Sequence, residues 1–410
     1  MKKKFVKRDE YVSWIDQFRE KPVIKVLTGM RRVGKSTILK MYVEKLRREG
    51  VLARQIVLLN FEEMENERLL DPHALNDCLT KRLQKGRMTY VFLDEVQKVA
   101  HYEQVLDSLF VKENVDLYVT GSTADLFSSE IATLLTGRYV EINVLPYSFL
   151  EMTEAVGGRP GDAQEKRRFM DYVSYGALPE SFSFGPGSAA QREYVEAVYR
   201  TILEKDVLKR NREGGRILVA QILRYLADTI GSLTSPKRIL DRLKANGLRV
   251  SVNTVYSYLA ILEDCSFVHK ADRFDIRGGE MLKLINKYYL TDFGFKYYVL
   301  NNPDLELQQL VENTVFLELK RRRYKVATGK AGGREVDFVI KGEDGLLRYV
   351  QVAVSVSDPA KLEQELAVFK SIRDNYPKYI LTLDDFFVEN HLGVTTINLL
   401  DFLTGRRALD

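Results

Sequence analysis

With 410 residues, of which 45% are hydrophobic and 29% charged, the chain is long enough for two or three globular domains. It has no apolar stretch of membrane-spanning length and no apolar core behind its basic start, so we expect a cytoplasmic protein without membrane contact. Two cysteines and four histidines lack the spacing of a zinc site or a disulfide framework, and a net charge of +5 indicates only mild attraction to polyanions.

The first functional motif is a glycine-containing loop between a predicted strand, residues 23–27, and a predicted helix, residues 38–48. Its sequence, GMRRVGKST, matches G-x-x-x-x-G-K-[ST]. The two glycines let the backbone approach a triphosphate closely, the lysine can reach the β and γ phosphates, and the serine hydroxyl can bind Mg²⁺. We therefore predict ATP and Mg²⁺ as cofactors. The predicted nucleotide-binding residues are Gly29, Met30, Arg31, Arg32, Val33, Gly34, Lys35, Ser36 and Thr37.

A second motif, YVFLDEV at residues 90–96, is an apolar run that ends in two acids. Such a run is typical of a buried strand that delivers carboxylates at its C-terminal end. We predict that Asp94 and Ser36 hold Mg²⁺, and that Glu95 orients or deprotonates the attacking water. The pair of motifs favours nucleotide hydrolysis, with Lys35 and Glu95 as catalytic residues, over an accidental glycine turn.

Two further apolar runs, residues 55–60 and 115–120, predict more buried strands. The first 150 residues are therefore expected to form an α/β domain with a three-layer parallel sheet. Ser122 follows the second run and is predicted to sense the γ-phosphate, with a plain turn or a helix cap as the alternative. Arg138 precedes a predicted strand at 139–144. It can stabilise transition-state charge in a neighbouring subunit, or it can form a surface salt bridge.

Four segments, TGMRRVGKS, FLDEVQ, YVTGSTADL and LLTGRYVEINVLPYSFLE, together resemble the prokaryotic AAA-type (P-loop) ATPases that carry a C-terminal domain of formerly unknown function. The resemblance implies an arginine finger at Arg138 and a family glutamine at Gln97. Family members often have Asn or Ser where this chain has Thr123. Residues 172–180 resemble a further family signature, which we expect to shape a helix–turn connection.

Residues 151–230 are assigned to a helical linker or lid region, which contains turn-rich breaks at 157–161 and 185–188. Two short predicted helices, 235–245 and 251–262, then precede two strand-like runs. This order predicts a winged-helix domain over residues 231–299, with its second helix in the major groove of DNA. Protein contact is the alternative use of such a module. The candidate DNA contacts are Lys237, Arg249, Asn253, Thr254, Arg273 and Arg277.

The last region, residues 300–410, has the predicted order helix, three strands, helix and strand, which resembles the restriction-endonuclease-like core. In active members, two acidic positions and an E-x-K tripeptide bind Mg²⁺ and activate water. Glu312 and Asp337 fit the acidic positions, but the tripeptide place begins at Gln351 and ends at Ala353. Without the second carboxylate and the lysine, we expect a degenerate nuclease fold that binds DNA or subunits. The alternative is a lysine supplied from elsewhere, such as Lys330.

These motifs predict an ATP-hydrolysing, DNA-binding AAA-type protein that processes or remodels duplex or branched DNA. The predicted partners are DNA and further copies of the chain, with a hexamer as one arrangement. Two alternatives stay open. One is a nucleotide-gated signalling or scaffolding ATPase that binds proteins, and the other is a Mg²⁺-dependent nuclease with a relocated lysine.

Overall fold

The computed structural model describes residues 6–121, 137–208, 215–299 and 306–409. The chain divides into two compact units: Met1–Leu145 with Asp264–Ser266, and Pro146–Glu263 with Phe267–Asp410. Within the described ranges, no helix combines the length and apolar character needed to cross a membrane.

A five-stranded parallel sheet forms the centre of the first unit. Its strands are β1 (Ile24–Thr28), β2 (Ile56–Asn60), β3 (Thr89–Asp94), β4 (Val115–Thr120) and β5 (Tyr139–Asn143). They lie in the order β2-β3-β4-β1-β5. Almost every residue of β1, β3 and β4 is buried, as expected for apolar strands covered on both faces. Because these strands are parallel, their C-terminal ends lie at one edge of the sheet.

The helices of the first unit are α1 (Asp9–Gln17), α2 (Lys35–Arg48), α3 (Pro72–Arg82) and α4 (Tyr102–Phe110). Helix α2 begins at Lys35, three residues earlier than predicted, because Gly34 takes a left-handed conformation with φ 99° and forms the N-cap. The Lys-Ser-Thr part of the loop motif is therefore the first helical turn. Helices α1, α3 and α4 are not among the predicted elements. Leu75, Leu79 and Leu106 from α3 and α4 pack into the same core as residues of β1 to β4.

The helices of the second unit are α5 (Phe149–Ala155), α6 (Glu165–Tyr175), α7 (Ala189–Ile202), α8 (Gly215–Asp228), α9 (Pro236–Ala245), α10 (Val252–Asp264), α11 (Leu307–Arg321), α12 (Pro359–Phe369) and α13 (Leu399–Leu403). Helix α9 begins after Ser235, whose side chain accepts a hydrogen bond from Arg238 N, and has Pro236 in its first turn, as the sequence predicts. A π-helical turn, Leu203–Val207, follows α7.

An eight-stranded mixed sheet completes the second unit. Its strands are β6 (Val268–Asp275), β7 (Glu280–Leu290), β8 (Lys325–Ala331), β9 (Arg334–Lys341), β10 (Leu347–Ala353), β11 (Lys378–Thr382), β12 (Asn390–His391) and β13 (Val394–Asn398). The strand order is β12-β13-β11-β10-β9-β8-β6-β7. Elements α11, β8, β9, β10, α12 and β11 follow the predicted order along the chain. The helical pattern at 359–374 predicts an end at residue 374 for α12, but the helix ends five residues earlier, at Phe369.

The hairpin β6–β7 was expected to be the wing of a separate domain, and the structure differs here. Strand β6 pairs in parallel with β8, and Ile276 N donates to Lys330 O at 3.0 Å. The backbone groups along this part of β6 are therefore used for pairing within the sheet. One sheet thus crosses the boundary that was predicted between residues 299 and 300.

The signature at residues 172–180 lies against a buried carboxylate. Asp292 accepts hydrogen bonds from Ala177 N at 2.5 Å and from Tyr199 Oη at 2.7 Å. Gly176 has φ +87°, and a Cβ at this position would lie 2.4 Å from Asp292 Oδ1. The glycine thus gives the turn after α6 the space to close over Asp292, which is a structural role.

Candidate functional site

The phosphate-loop motif lies between β1 and α2, as predicted. Gly29 has φ +126°, and a Cβ there would lie 2.3 Å from Val144 O, so only glycine fits this position. Lys35 Nζ donates to Gly29 O at 2.9 Å and to Met30 O at 3.2 Å. The loop therefore folds around the terminal ammonium of the lysine side chain, and the N-terminal end of α2 presents its first N–H groups beside it.

The two predicted magnesium-binding residues are in direct contact. Ser36 Oγ donates a 3.0 Å hydrogen bond to Asp94 Oδ1, which joins the first turn of α2 to the C-terminal end of β3. The same carboxylate oxygen accepts a hydrogen bond from Thr120 Oγ1. A hydroxyl and a carboxylate are the hard oxygen donors that Mg²⁺ prefers alongside phosphate. These residues fit the cation that the fold implies.

Glu95 directly follows this carboxylate and has an unusual backbone. Its φ of 58° and ψ of 46° are left-handed, which is rare for a residue with a side chain. Its N–H donates to Thr120 Oγ1 at 3.0 Å, and Gln97 Nε2 donates to its Oε2 at 2.7 Å. Thr120 and Gln97 therefore fix the backbone and the carboxylate of Glu95, respectively. Strained residues that are held in this way concentrate at functional sites.

The two other predicted catalytic residues are Ser122 and Arg138, and the structure describes only Arg138. Ser122, like Thr123, lies outside the described residues. Arg138 Nη1 donates to Asp107 Oδ1 of α4 at 2.5 Å, and its guanidinium lies 5.6 Å from the centre of the Phe110 ring. The surface salt bridge that the sequence allowed is thus present. The arginine side chain is 44% exposed, so its role toward a neighbouring subunit stays a prediction.

Two residues at this site were not predicted from the sequence. Thr120 ends β4, and its place beside β3 brings its hydroxyl to both acids of the second motif. Arg8 precedes α1 and is almost fully buried, and it donates to Val33 O in the phosphate loop. The position of Thr120 at the end of an apolar strand was a usable signal. Arg8 stands in a basic stretch that gives no such signal.

The predicted nuclease-like residues form a buried cluster in the second unit. Glu312 on α11 and Asp337 on β9 lie on either side of Lys287 from β7, whose Nζ is 2.8 Å from Glu312 Oε1 and 3.8 Å from Asp337 Oδ1. Glu335 is 2.7 Å from the same ammonium. Gln351 Oε1 accepts a hydrogen bond from Asp337 N at 3.1 Å. Lys287 and Glu335 were missed, because neither belongs to the expected tripeptide.

The pKa values of Lys287 and Asp337 in this cluster are shifted from their usual values. Burial alone would lower the pKa of the Lys287 ammonium, but Glu312, Asp337 and Glu335 outweigh it, and the net shift of the pKa is upward. Burial and the nearby Glu312 carboxylate raise the pKa of Asp337 well above its usual range, although Lys287 opposes the shift. Lys287 is therefore a fixed positive charge at neutral pH.

Lys330, the expected substitute for the missing lysine, is placed elsewhere. Its Nζ lies 3.5 Å from Asp275 Oδ2, at the tip of the β6–β7 hairpin. Lys287 is the lysine that contacts the carboxylates. Over the described ranges, no group of three or more His, Cys, Asp and Glu side chains is arranged to hold a metal ion.

The candidate DNA contacts differ in accessibility. Lys237, Arg249, Asn253 and Arg277 are exposed. Thr254 is half-buried, and its hydroxyl lies 2.9 Å from Ser251 Oγ in the cap of α10. Arg273 is half-buried, and its Nε is a buried atom without a hydrogen-bond partner in the described structure. Of the exposed candidates, Lys237 lies on α9, Arg249 in the turn after it and Asn253 at the start of α10.

Comparison with known proteins gives two family matches and several relatives. Residues 21–153 match the family described as an AAA domain, and residues 166–306 match a domain of unknown function, DUF8612. An uncharacterized protein of Haemophilus influenzae is 30% identical over 405 residues, which cover 98% of this chain and 100% of the relative. An uncharacterized protein of Methanocaldococcus jannaschii is 26% identical over 385 residues, which cover 88% of this chain and 82% of the relative. Among solved structures, the Walker-type ATPase PABY2304 of Pyrococcus abyssi is 18% identical, with a TM-score of 0.49 over 71% of this chain and 94% of that chain.

Proposed function

The chain belongs to the same family as the Haemophilus influenzae protein and carries an AAA domain at residues 21–153, and from this premise we propose that it is a Mg²⁺-dependent ATPase that acts on DNA. The observation that carries the ATPase proposal is the hydrogen bond between Ser36 and Asp94. It joins the phosphate loop to the acidic motif at one edge of the sheet.

Each functional residue of the first unit has its own proposed role in ATP hydrolysis. The N–H groups of the loop and of the first turn of α2 bind the phosphates, and Lys35 neutralises the β and γ phosphates. Ser36 and Asp94 would hold Mg²⁺, which would supply positive charge beside the phosphates. Glu95 orients the attacking water and accepts its proton, while Gln97 holds the Glu95 carboxylate in place.

A third element of the proposal is an oligomer, for which a hexamer is one arrangement. Arg138 then stabilises transition-state charge in the next subunit. Support comes from its exposed guanidinium and from its position directly before β5. Its partner in the isolated chain is Asp107, so oligomer formation must exchange that salt bridge for a phosphate contact.

The ATPase proposal is tested by three variants. Lys35→Ala removes the charge at the phosphates, and we expect loss of ATP binding or turnover. Glu95→Gln keeps the shape of the side chain, and we expect ATP binding with turnover reduced by about 10²-fold or more. Lys40→Ala, an exposed lysine on the same helix, is the control and should behave as wild type. Wild-type turnover in the Glu95→Gln variant would remove Glu95 from its role.

DNA binding by a winged-helix arrangement of α9, α10 and the β6–β7 hairpin is the finer part of the proposal. It is supported by the exposed cations Lys237 and Arg249 around a helix pair joined by a glycine-containing turn. We expect Lys237→Ala and Arg249→Ala each to weaken binding to all DNA sequences. Each should also make the plot of the logarithm of the binding constant against the logarithm of the salt concentration less steep, by about 1 in slope. Lys370→Ala, an exposed lysine outside these helices, is the control.

One observation favours the second candidate, a signalling or scaffolding ATPase that binds proteins. The tip of the predicted wing is paired with β8, and Thr254 is used to cap its own helix, which leaves fewer groups for DNA. ATPase rates with duplex, forked and junction DNA distinguish the two functions. Stimulation by any of these supports action on DNA. Equal rates with and without all of them, and no gel shift, support the protein-binding function.

For residues 300–410 we propose a degenerate, inactive nuclease-like domain. Support comes from Lys287, whose ammonium lies beside Glu312 and Asp337, the two carboxylates that an active nuclease would use to bind a metal. In the alternative, a Mg²⁺-dependent nuclease with a relocated lysine, Lys287 would be that lysine. Incubation of wild type and Asp337→Ala with DNA and Mg²⁺ or Mn²⁺ separates them. Cleavage by wild type alone would establish the nuclease.

A further inference from the structure

Arg8 is a buried cation that contacts the phosphate loop from outside the motif. The residue is 2% exposed and lies immediately before α1. Its Nη1 donates to Val33 O at 2.8 Å, and its Nη2 donates to Leu145 O at 3.0 Å. The Tyr11 ring lies 4.6 Å below the guanidinium, and Leu145 N donates to Tyr11 Oη at 3.0 Å. A buried guanidinium is stable only where such acceptors surround it, so this position is well defined.

The contact with Val33 O determines the direction of a backbone N–H in the loop. The carbonyl of Val33 and the N–H of Gly34 belong to one planar, trans peptide unit, so they point in opposite directions. With Arg8 on the carbonyl, the Gly34 N–H is directed away from Arg8. Gly34 has φ +99° and no side chain, so little within the residue itself restricts rotation of this peptide. Arg8 supplies the missing restriction.

The second hydrogen bond of Arg8, to Leu145 O, connects the loop to the segment that follows β5. Leu145 follows Val144, whose carbonyl oxygen is the atom against which Gly29 packs at the other end of the loop. The backbone of these two residues thus supports the start of the loop directly and the end of the loop through Arg8. Both ends of the phosphate loop are set by the same short segment after β5.

We propose that Arg8 is a positioning residue for nucleotide binding, and this inference rests on the proposed ATPase function. It acts through the Val33–Gly34 peptide, which it holds with the N–H toward the phosphates, and it does not itself contact ATP. One side chain must donate to the carbonyl oxygens of both Val33 and Leu145, and the planar guanidinium does this with its two terminal nitrogens. The single ammonium of a lysine cannot replace it here.

The test compares Arg8→Lys with Arg19→Lys. Arg19 is a partly buried arginine of the first unit that contacts Glu49 at 2.6 Å and Tyr90 Oη at 3.1 Å, away from the loop. We expect Arg8→Lys to raise the Kd for a fluorescent ATP analogue by about tenfold or more, the equivalent of one or two lost hydrogen bonds. For Arg19→Lys we expect a change of Kd below about twofold, whatever its effect on Tm.

A purely structural role for Arg8 predicts a different result. In that case the Kd for ATP stays at the wild-type value while the Tm without nucleotide falls, and this outcome overturns the inference. If Arg8→Lys is too unstable to assay, Arg8→Ala is measured with and without guanidinium ion at about 10–50 mM, a low concentration compared with denaturing ones. Restored ATP affinity in Arg8→Ala, without a matching effect in Arg19→Ala, supports the positioning role, and no restoration overturns it. Absence of ATP binding by wild type would instead overturn the ATPase proposal itself.

Discussion

Lys287 Nζ lies 2.8 Å from Glu312 Oε1 in the interior of the second unit, where a nuclease of the expected fold would hold its metal. Tyr289 Oη donates to the same carboxylate oxygen at 2.7 Å. Glu312 is thus held by a cation and a hydroxyl that both come from β7, a strand outside the region predicted for the nuclease-like fold. A lysine in this position balances carboxylates that are costly to bury without a counter-charge.

Lys287→Met should therefore destabilise the protein strongly. It leaves buried carboxylates without their cation, and we expect the free energy of unfolding to fall by about 3–5 kcal/mol in chemical denaturation. Adding Glu312→Gln to this variant should recover part of the loss, because the two changes remove partners of one interaction. Lys330→Met is the control, because the Lys330 side chain is 38% exposed and lies beside Asp275. This substitution should change the free energy of unfolding by less than about 1 kcal/mol. A Lys287→Met variant as stable as this control would contradict the role of Lys287.

Arg138→Ala should lower ATP turnover without weakening ATP binding. An arginine finger acts on the transition state, so we expect kcat to fall by about 10³-fold while the Kd for ATP is unchanged. Mixing Arg138→Ala with Lys35→Ala should restore part of the activity, since some interfaces then combine an intact loop with an intact Arg138. Asp107→Asn is the matched control. It removes the partner of Arg138 but not the arginine, and it should retain turnover. Failure of the mixture to recover activity in assembled protein would argue against action between subunits.

His269 makes stability depend on pH. Burial, and then the positive charge of Lys320, lowers the pKa of His269 to about 3, and its Nε2 is buried without a hydrogen-bond partner in the described structure. The unfolded chain therefore binds a proton as the pH falls below about 6.5, while the folded chain does not until about pH 3, so stability decreases as the pH falls through this window. Between pH 7.5 and 5 this single group costs about 2 kcal/mol.

The variant His269→Leu removes this titration. Its free energy of unfolding, measured by urea denaturation at pH 7.5 and at pH 5, should differ less between the two conditions than that of wild type. An equal acid-induced loss in both proteins would assign the pH dependence to other groups.

Gly176→Ala should be more destabilising than Gly185→Ala. Both glycines have a left-handed backbone, with φ +87° and φ +84°, so each substitution carries a strain of about 1–2 kcal/mol. At Gly185 a Cβ meets nothing within 4 Å, whereas at Gly176 it would lie 2.4 Å from Asp292 Oδ1. We expect a total loss of about 2–5 kcal/mol for Gly176→Ala because overpacking adds to the strain. Thermal unfolding of the two variants side by side measures the difference. Equal losses would show that Asp292 moves aside without cost.

The AAA domain and the placement of its two motifs could be predicted from the residues alone. This was possible because each motif is contiguous: an apolar strand, a loop and the first turn of a helix are read from neighbouring residues. The strand predictions at 55–60 and 115–120 agree with β2 and β4 to within one residue, since buried parallel strands are continuous apolar runs. Helices α1, α3 and α4 were missed because they are short, with 9, 11 and 9 residues, so that their helical period repeats over only two or three turns.

The side chains that meet at the sites could not be predicted in this way, because they come from distant parts of the chain. Thr120 and Arg8 reach the phosphate-loop site from strands and loops that are distant in sequence. Lys287 reaches the acidic cluster because β6–β7 and β8–β9 share one sheet, a pairing that no local pattern specifies. The physical reason is that a period of two or 3.6 residues fixes which face of an element is apolar. The pairing of strands and the direction of a polar side chain depend instead on packing between distant segments.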